Sequence, residues 1–277
     1  MHWLQFHCEN AQDVFDTTLQ AYRVAEDHDV LLPAFVTYAG WEVSHASLPL
    51  TLPSQEQVDA YLPSYKLPPG NDPLEIDMRE LYSRRRVTSV MGSPEYMELR
   101  GKIDRVLNVT AKEKIRAAHQ EFVRTFGRGY GGLAEECHTE DADVVLVVLG
   151  NIATTTRDVV EEMRADGLRI GMLKVRTLRP FPLEEVQGAC IGAKVVLALD
   201  RNPVYTLYQE VRSALYGQAK RPIVMGRVIA LGGRNFTAQD VRELALEAFE
   251  MARTGRGEEL AWRFRVAKSK KSTGRPS

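Results

Sequence analysis

The sequence predicts an α/β protein: a mostly parallel open sheet with flanking helices, preceded by a partial α/β segment and a long connector helix. Three observations predict it. Between residues 141 and 254, short apolar runs alternate with amphipathic stretches, the pattern of βαβ units. Residues 1–65 offer one capped helix and one strand-like run, too little to bury a domain-sized core. Between the two lie a proline-rich spacer and a long, polar helical stretch.

In the first segment Asn10 is placed to cap a helix over 11–26, with Val14, Thr18, Ala21, Tyr22 and Ala25 on one face. Residues 30–37 read as a strand, but Pro33 cannot donate to a ladder and pushes the run to an edge or a strand start. Residues 62–73 carry Pro63, Pro68, Pro69 and Pro73, an extended spacer. Residues 94–125 then read as a helix whose sparse apolar face is Ile103, Val106, Leu107, Ile115, Ala118, Phe122 and Val123, a composition suited to bridging domains or subunits.

Val144–Leu149 is a continuous apolar strand ending at Gly150. A helix over 152–166, a strand over 168–175 and a short helix at 183–190 follow. Strands at 194–199 and 223–230 then alternate with helices at 206–216 and 238–253. The last helix is the best specified. Val241, Leu244, Ala245, Ala248, Phe249 and Ala252 form one stripe, with Thr237 and Asp240 at its start and Arg253 and Gly255 at its end. The reading divides the chain into 1–65, 66–140, 141–255 and a basic tail, 256–277, expected to be disordered.

Composition narrows the function classes. With 36 Lys+Arg against 37 Asp+Glu in 277 residues, the net charge of −1 excludes a protein that grips nucleic acid with its whole surface. Charge is uneven: residues 1–60 hold nine acids and one base, Arg23, whereas 262–277 hold six bases and no acid. The tail reads as a solvated end. No apolar run approaches the ~20 residues of a membrane span. The first residues lack a basic stretch followed by a long apolar one, so no secretory signal is read. Three scattered cysteines, Cys8, Cys137 and Cys190, fit a reducing, cytoplasmic compartment, and one chain cannot supply the four thiolates of a conventional [4Fe–4S] cluster.

Gly127–Gly132 satisfies G-x-G-x-x-G, but it follows a helix and precedes an acidic stretch, so it reads as a flexible turn rather than a pyrophosphate loop. The loops after the apolar strands are better placed, since open α/β sheets bind ligands at strand carboxyl ends. Gly150 and Thr155 lie in one such loop, Asp200, Arg201 and Asn202 in a second, Gly233 and Arg234 in a third. These seven are the candidate ligand-binding residues; ordinary helix capping is the competing reading of the first loop. No nucleophile–base pair emerges. Glu42 and His45, and Cys137 and His138, lack a second cluster at metal-ligand spacing, so no metal site is expected. Arg176 and Arg179 read as structural salt bridges, with anion binding as the alternative.

Seven stretches carry a resemblance: SPEYMELR (93–100), EFVRTFGRGYG (121–131), EDADVVLVVLG (140–150), ADGLRIGMLKVRTLRPFP (165–182), LALDRN (197–202), EVRSALYG (210–217) and IALGGRNFTAQDV (229–241). In this order they resemble the α subunit of pyruvate:ferredoxin oxidoreductase, in the 2-oxoacid:ferredoxin oxidoreductase family, over about residues 8–250. The resemblance implies that 141–255 is transketolase C-terminal-like. It implies too that the first segment is the last part of a pyrimidine-binding thiamin diphosphate domain.

In the family, the residues touching pyruvate and thiamin lie upstream of that part or on the β subunit. No catalytic residue is therefore expected here, and no cofactor bound by this chain alone. The assembled complex implied by the resemblance uses thiamin diphosphate, Mg2+, [4Fe–4S] clusters and CoA. Its expected partners are an amino-terminal α portion, β, γ and δ-type subunits and, through the complex, ferredoxin. One departure stands out: Pro203, Val204 and Tyr205 follow Asn202 where family members commonly place glycines. The alternative reading is a stand-alone α/β scaffold or ligand-binding protein derived from that subunit.

Overall fold

The computed structural model describes residues 2–66 and 94–263. The first segment contains β1 (Leu4–His7), α1 (Ala11–Ala25), β2 (Ala34–Thr37) and α2 (Gln55–Tyr61). Next come α3 (Pro94–Arg105), a π-helical turn (Val106–Thr110), α4 (Ala111–Phe126) and β3 (Ala134–Cys137). The remainder runs β4 (Val144–Leu149), α5 (Ile152–Ala165), β5 (Ile170–Val175), β6 (Thr177–Arg179), α6 (Leu183–Cys190), β7 (Val195–Asp200), α7 (Thr206–Tyr216), β8 (Ile223–Val228), α8 (Ala238–Thr254) and β9 (Leu260–Trp262).

The larger sheet has the order β3-β5-β4-β7-β8-β9 and is parallel throughout except for β3, which runs antiparallel to β5. This is the mostly parallel sheet that the alternating pattern anticipates. Its central strands β4 and β7 read as near-continuous apolar runs because both faces are covered. On β4, Val144, Leu146 and Val148 face one core with α5 and α8, while Val145 and Val147 face a second core with α6 and α7. The two sets alternate with the period of two that a strand imposes.

Capping fixes the ends of the helices. Thr237 and Asp240 form a reciprocal capping box at α8, and Gly255, at φ +65°, closes it in the left-handed region that a side chain resists. Asn10 likewise accepts the Asp13 amide at α1.

The smaller sheet, order β2-β1-β6, pairs β1 parallel to β2 and antiparallel to β6. β2 begins directly after Pro33 and lies at the edge, as the proline requires. Leu4, Phe6, Ala21, Val24 and Leu32 meet Val106, Leu107, Ala111, Ile115 and Ala118 in a third core. The long helix therefore packs against α1 along its apolar face. It also ties across to α6, through Lys112 to Glu184 and Arg116 to Glu185.

Several elements were not anticipated. β1, β3 and β6 are three or four residues long, below the length at which alternation separates a strand from a loop. β3 lies ahead of residue 141 yet belongs to the larger sheet. In the segment expected to be a disordered tail, Leu260–Trp262 pair with β8 as an added edge strand. The fully buried Arg227 holds that addition by donating to the carbonyls of Glu258 and Glu259. Residues 264–277, which carry five of the six bases of 262–277, and 67–93, with three of the spacer prolines, lie outside the described residues. Among the described residues no helix is long and apolar enough to cross a membrane.

Candidate functional site

Where the larger sheet meets the smaller, the carboxyl ends of β4 and β7 face β1 and the residues after β2. A cleft of about 330 Å³ opens between them, lined by His7, Cys8, Thr37, Tyr38, Gly150, Asn151, Asp200, Arg201, Asn202 and Thr206 among others. Four of the candidates, Gly150, Asp200, Arg201 and Asn202, thus come together. The other three do not. Thr155 sits half-buried on α5 and does not line the cleft. Gly233 and Arg234 follow β8, and Arg234 lines a separate hollow of about 120 Å³ with Phe236, Asp240 and Arg263. A larger hollow, about 420 Å³, lies between the end of α1 and residues 62–66, where Arg23 and Asp27 are already paired with Glu121 and Lys114.

Each cleft residue has a local reason for its position. Gly150 ends β4 at φ +65° and approaches the carbonyl of Cys8, a turn that favours glycine. The Asp-Arg-Asn run after β7 is a capping device. Asp200 accepts the amides of Asn202 (2.9 Å) and Leu207 (2.7 Å), and Asn202 accepts the amide of Val204 and donates to the hydroxyl of Thr206. Both side chains therefore serve the entry into α7, whose first turn would otherwise leave buried N–H groups unmatched. Burial raises the Asp200 carboxyl above its ordinary range, against the pull of those amides. With Pro203 and Tyr205 in the loop, side-chain bonds do the work that a glycine-rich turn would leave to the backbone.

Among the described residues, Arg201 is the one arginine or lysine lining the cleft. It spans the opening, donating to Asn151 Oδ1 at 2.8 Å and reaching Glu42 at 3.4 Å. Glu42 thus acts as an ion-pair partner of the sheet's strand-end loop. His45 stacks on Trp41 instead, so these two do not form the half of a metal site that their spacing suggests.

His7 lies opposite. The Thr37 hydroxyl lies 3.0 Å from the Phe6 carbonyl and 2.8 Å from His7 Nδ1, so one ring nitrogen is engaged and the other is Nε2. That atom is buried and has no hydrogen-bond partner among the described residues. Burial lowers the imidazole pKa to about 4 and, together with the Asp13 charge, raises the Cys8 thiol to about 12. At neutral pH the cleft therefore offers a neutral imidazole, an un-ionised thiol, one paired guanidinium and a carboxyl engaged by two amides. It can accept a hydrogen bond, and among the described residues that line it none is an activated nucleophile. None of His7, Cys8, Thr37 and Tyr38 was expected to line a site, because β1, which carries His7 and pairs with β2, is too short to register as a strand.

Behind the cleft lies a buried ionic cluster. Lys174, on β5 and fully buried, meets Glu9 at 3.0 Å, Asp13 at 3.1 Å and Glu135 at 3.5 Å; Arg157 bridges Glu9 and Glu135. Arg176 donates to the Gly132 carbonyl and the Thr17 hydroxyl. The nearby Lys174 and Arg176 charges overcome burial and hold the Asp13 carboxyl below the usual range. Arg176 and Arg179, the latter paired with Glu210, thus take the structural reading. The Gly127–Gly132 turn is pinned rather than flexible: Arg128 clamps Asp16 with both nitrogens, and Tyr130 donates to the same carboxylate.

Fold and cleft define an α/β protein of the open parallel-sheet class, with a strand-end cleft closed by an amino-terminal α/β segment. The family description "Pyruvate flavodoxin/ferredoxin oxidoreductase, thiamine diP-bdg" matches residues 1–113, and "Pyruvate:ferredoxin oxidoreductase core domain II" matches residues 142–241. The chain belongs to the pyruvate:ferredoxin oxidoreductase family, on its α-subunit side.

The chain is 36% identical over 247 residues to the pyruvate synthase subunit PorA of Methanothermobacter thermautotrophicus, covering 87% of this chain and 61% of that protein. It is 34% identical over 265 residues to the ketoisovalerate oxidoreductase subunit VorA of Pyrococcus abyssi, covering 94% of this chain and 65% of the relative. The chain therefore spans less than two thirds of the length of either. A solved 2-oxoglutarate:ferredoxin oxidoreductase from Magnetococcus marinus, with 2-oxoglutarate, coenzyme A and succinyl-CoA bound, shares the fold at a TM-score of 0.56. That likeness, at 15% identity, covers 88% of this chain and 42% of that one.

Proposed function

We propose that this chain is an architectural portion of a 2-oxoacid:ferredoxin oxidoreductase, with pyruvate as the substrate of the assembled enzyme. The complex would decarboxylate pyruvate oxidatively to acetyl-CoA and pass the electrons to ferredoxin. Its amino-terminal α portion and its β, γ and δ-type subunits would bring thiamin diphosphate, Mg2+, the [4Fe–4S] clusters and CoA. The reading places the complex in the cytoplasm. The observation that carries it is the 36% identity along 87% of the chain to a pyruvate synthase subunit. The cleft is consistent with a non-catalytic role, because each of its ionisable groups is either neutral or already matched.

The chain's own residues do not fit the clusters or the diphosphate. Cys8 is buried beside the cleft, Cys190 lies in the core with α6 and α7, and Cys137 sits on an edge strand, so the three thiols lie apart and a cluster needs four. A diphosphate-bound Mg2+ favours ionised oxygen donors, and Asp200, the carboxylate lining the cleft, is tied to the amides of Asn202 and Leu207 with burial disfavouring its charged form. Both groups are assigned to the partners.

The test is to express the chain alone and with its genomic neighbours, purify by a tag on it, and assay 2-oxoacid-dependent viologen reduction with thiamin diphosphate and CoA. Activity is expected only in the co-purified complex, with pyruvate preferred over 2-ketoisovalerate. A folded chain that captures no subunit would overturn the proposal and favour a stand-alone scaffold. The reverse substrate preference would retain the complex and replace pyruvate.

A further inference from the structure

The outer edge of the larger sheet holds a group of side chains that neither the cleft nor the proposed complex uses. β3 pairs with β5 as an antiparallel edge strand, and α5 lies over the same edge. Two rungs connect strand and helix. Glu135 meets Arg157, and two residues further on Cys137 meets Glu161, at 3.9 Å from Sγ to Oε1. The spacing matches because two residues of an antiparallel strand advance about 6.8 Å and four residues of a helix about 6 Å. The chain then turns at His138, at φ +54°, a left-handed conformation that only a minority of non-glycine residues adopt. That turn brings the imidazole back onto the helix, with Nε2 2.9 Å from Glu161 Oε1.

The backbone of this turn is held in place. Arg164 donates to the His138 carbonyl at 2.8 Å, and the same carbonyl lies against Gly171, where an added Cβ would approach to 2.4 Å. Thiol, imidazole and carboxylate are thus set by a strand end, a fixed turn and a helix. One donor atom from each lies within 4.8 Å of the other two. Around a tetrahedral ion with bonds of about 2.0–2.3 Å, donor atoms sit roughly 3.3–3.7 Å apart, so small rotations of these side chains complete the geometry. A mixed sulfur, nitrogen and oxygen set suits Zn2+ and Co2+ rather than Mg2+ or Ca2+.

We propose that Cys137, His138 and Glu161 form a binding site for a divalent transition-metal cation, Zn2+ by preference, with the fourth position left to water. The ion would fasten the edge strand β3 to α5. Residues 137 and 138 alone do not suggest this, because their third partner comes 23 residues later and only the fold brings it near.

The experiment uses the full chain, reduced and stripped with chelator, and titrates it with Co2+. One Co2+ per chain is expected, with a thiolate-to-cobalt charge-transfer band in the near ultraviolet and visible bands of a four-coordinate ion, all displaced by Zn2+. Cys137 is a clean reporter, since Cys8 and Cys190 are buried. Cys137→Ser should abolish the charge-transfer band. Glu161→Gln, at an exposed helix position, should weaken binding at least about tenfold with the far-ultraviolet circular dichroism unchanged. Zn2+ should also slow alkylation of Cys137 in the unaltered chain. Absence of the charge-transfer band, or a band that survives Cys137→Ser, overturns the site.

Discussion

The two sheets are held together by different physics. In the larger one, β4, β5 and β7 are buried strands between two apolar layers, and the fixed ions lie at its margins. The smaller one has a modest apolar core and joins its neighbour through charge: Glu9 and Asp13 on its side, Lys174 and Arg176 on the other. Its outer surface leaves Trp41, Leu48, Leu50 and Leu52 exposed. A sheet sealed by its own helices is stable wherever it is placed, whereas a region assembled through buried ion pairs depends on every member of the set being present.

The sharpest way to break the comparison is to remove one charge. Lys174→Ala would remove the one buried cation that Glu9 and Asp13 share, leaving Arg157 to Glu9 and Arg176 to Asp13, a loss of about 3–5 kcal/mol. Hydrogen exchange should show α1 and β1 losing protection first, with β4 and β7 still protected; uniform loss would contradict the division. Leu146→Ala attacks the other side. It opens a cavity in the apolar layer at a cost of about 2–5 kcal/mol and should lower the denaturation midpoint of the whole chain without selective loss from α1.

Acid sharpens the contrast. His7 and His119 have folded pKa values of about 4, below the 6.5 of an unperturbed imidazole, because burial disfavours their charged forms. The unfolded chain therefore binds more protons between pH 6.5 and 4. Stability is at its full value above pH 6.5 and falls through that window, by up to about 3 kcal/mol for His7. Urea midpoints across the window should show this slope, and His7→Asn should flatten it. The smallest effect lies in the sealed region: Thr237→Ala removes one half of the capping box and should cost about 1 kcal/mol, read as a small fall in Tm.

What the sequence disclosed follows the same division. Long apolar strands, a helical stripe running from Val241 to Ala252 and a capping box all advertise themselves through local periodicity, so the larger sheet was legible down to Thr237 and Gly255. The strand-end loops were legible too, and four of their residues meet in one cleft. What stayed hidden depends on distant partners. β1 is four residues long and acquires meaning only beside β2 and β6. Asp200 and Asn202 look like ligand groups in the sequence, yet their oxygens accept the amides of Asn202 and Val204 in the loop and of Leu207 at the start of α7. Cys137 and His138 lack a third partner until α5 supplies Glu161.

β6 carries one more consequence. It follows β5 directly in the chain but leaves the larger sheet to pair with β1, so a strand encoded after residue 176 finishes a sheet begun at residue 4. The two halves are laced together like interlocked fingers, and a break in the polypeptide near residue 140 would not produce two independent modules. Each fragment would carry part of the other's structure. Co-expressed, the pieces should find one another and reconstitute the whole; expressed apart, the amino-terminal piece should fail to hold β1, for want of a neighbour that only its counterpart can provide.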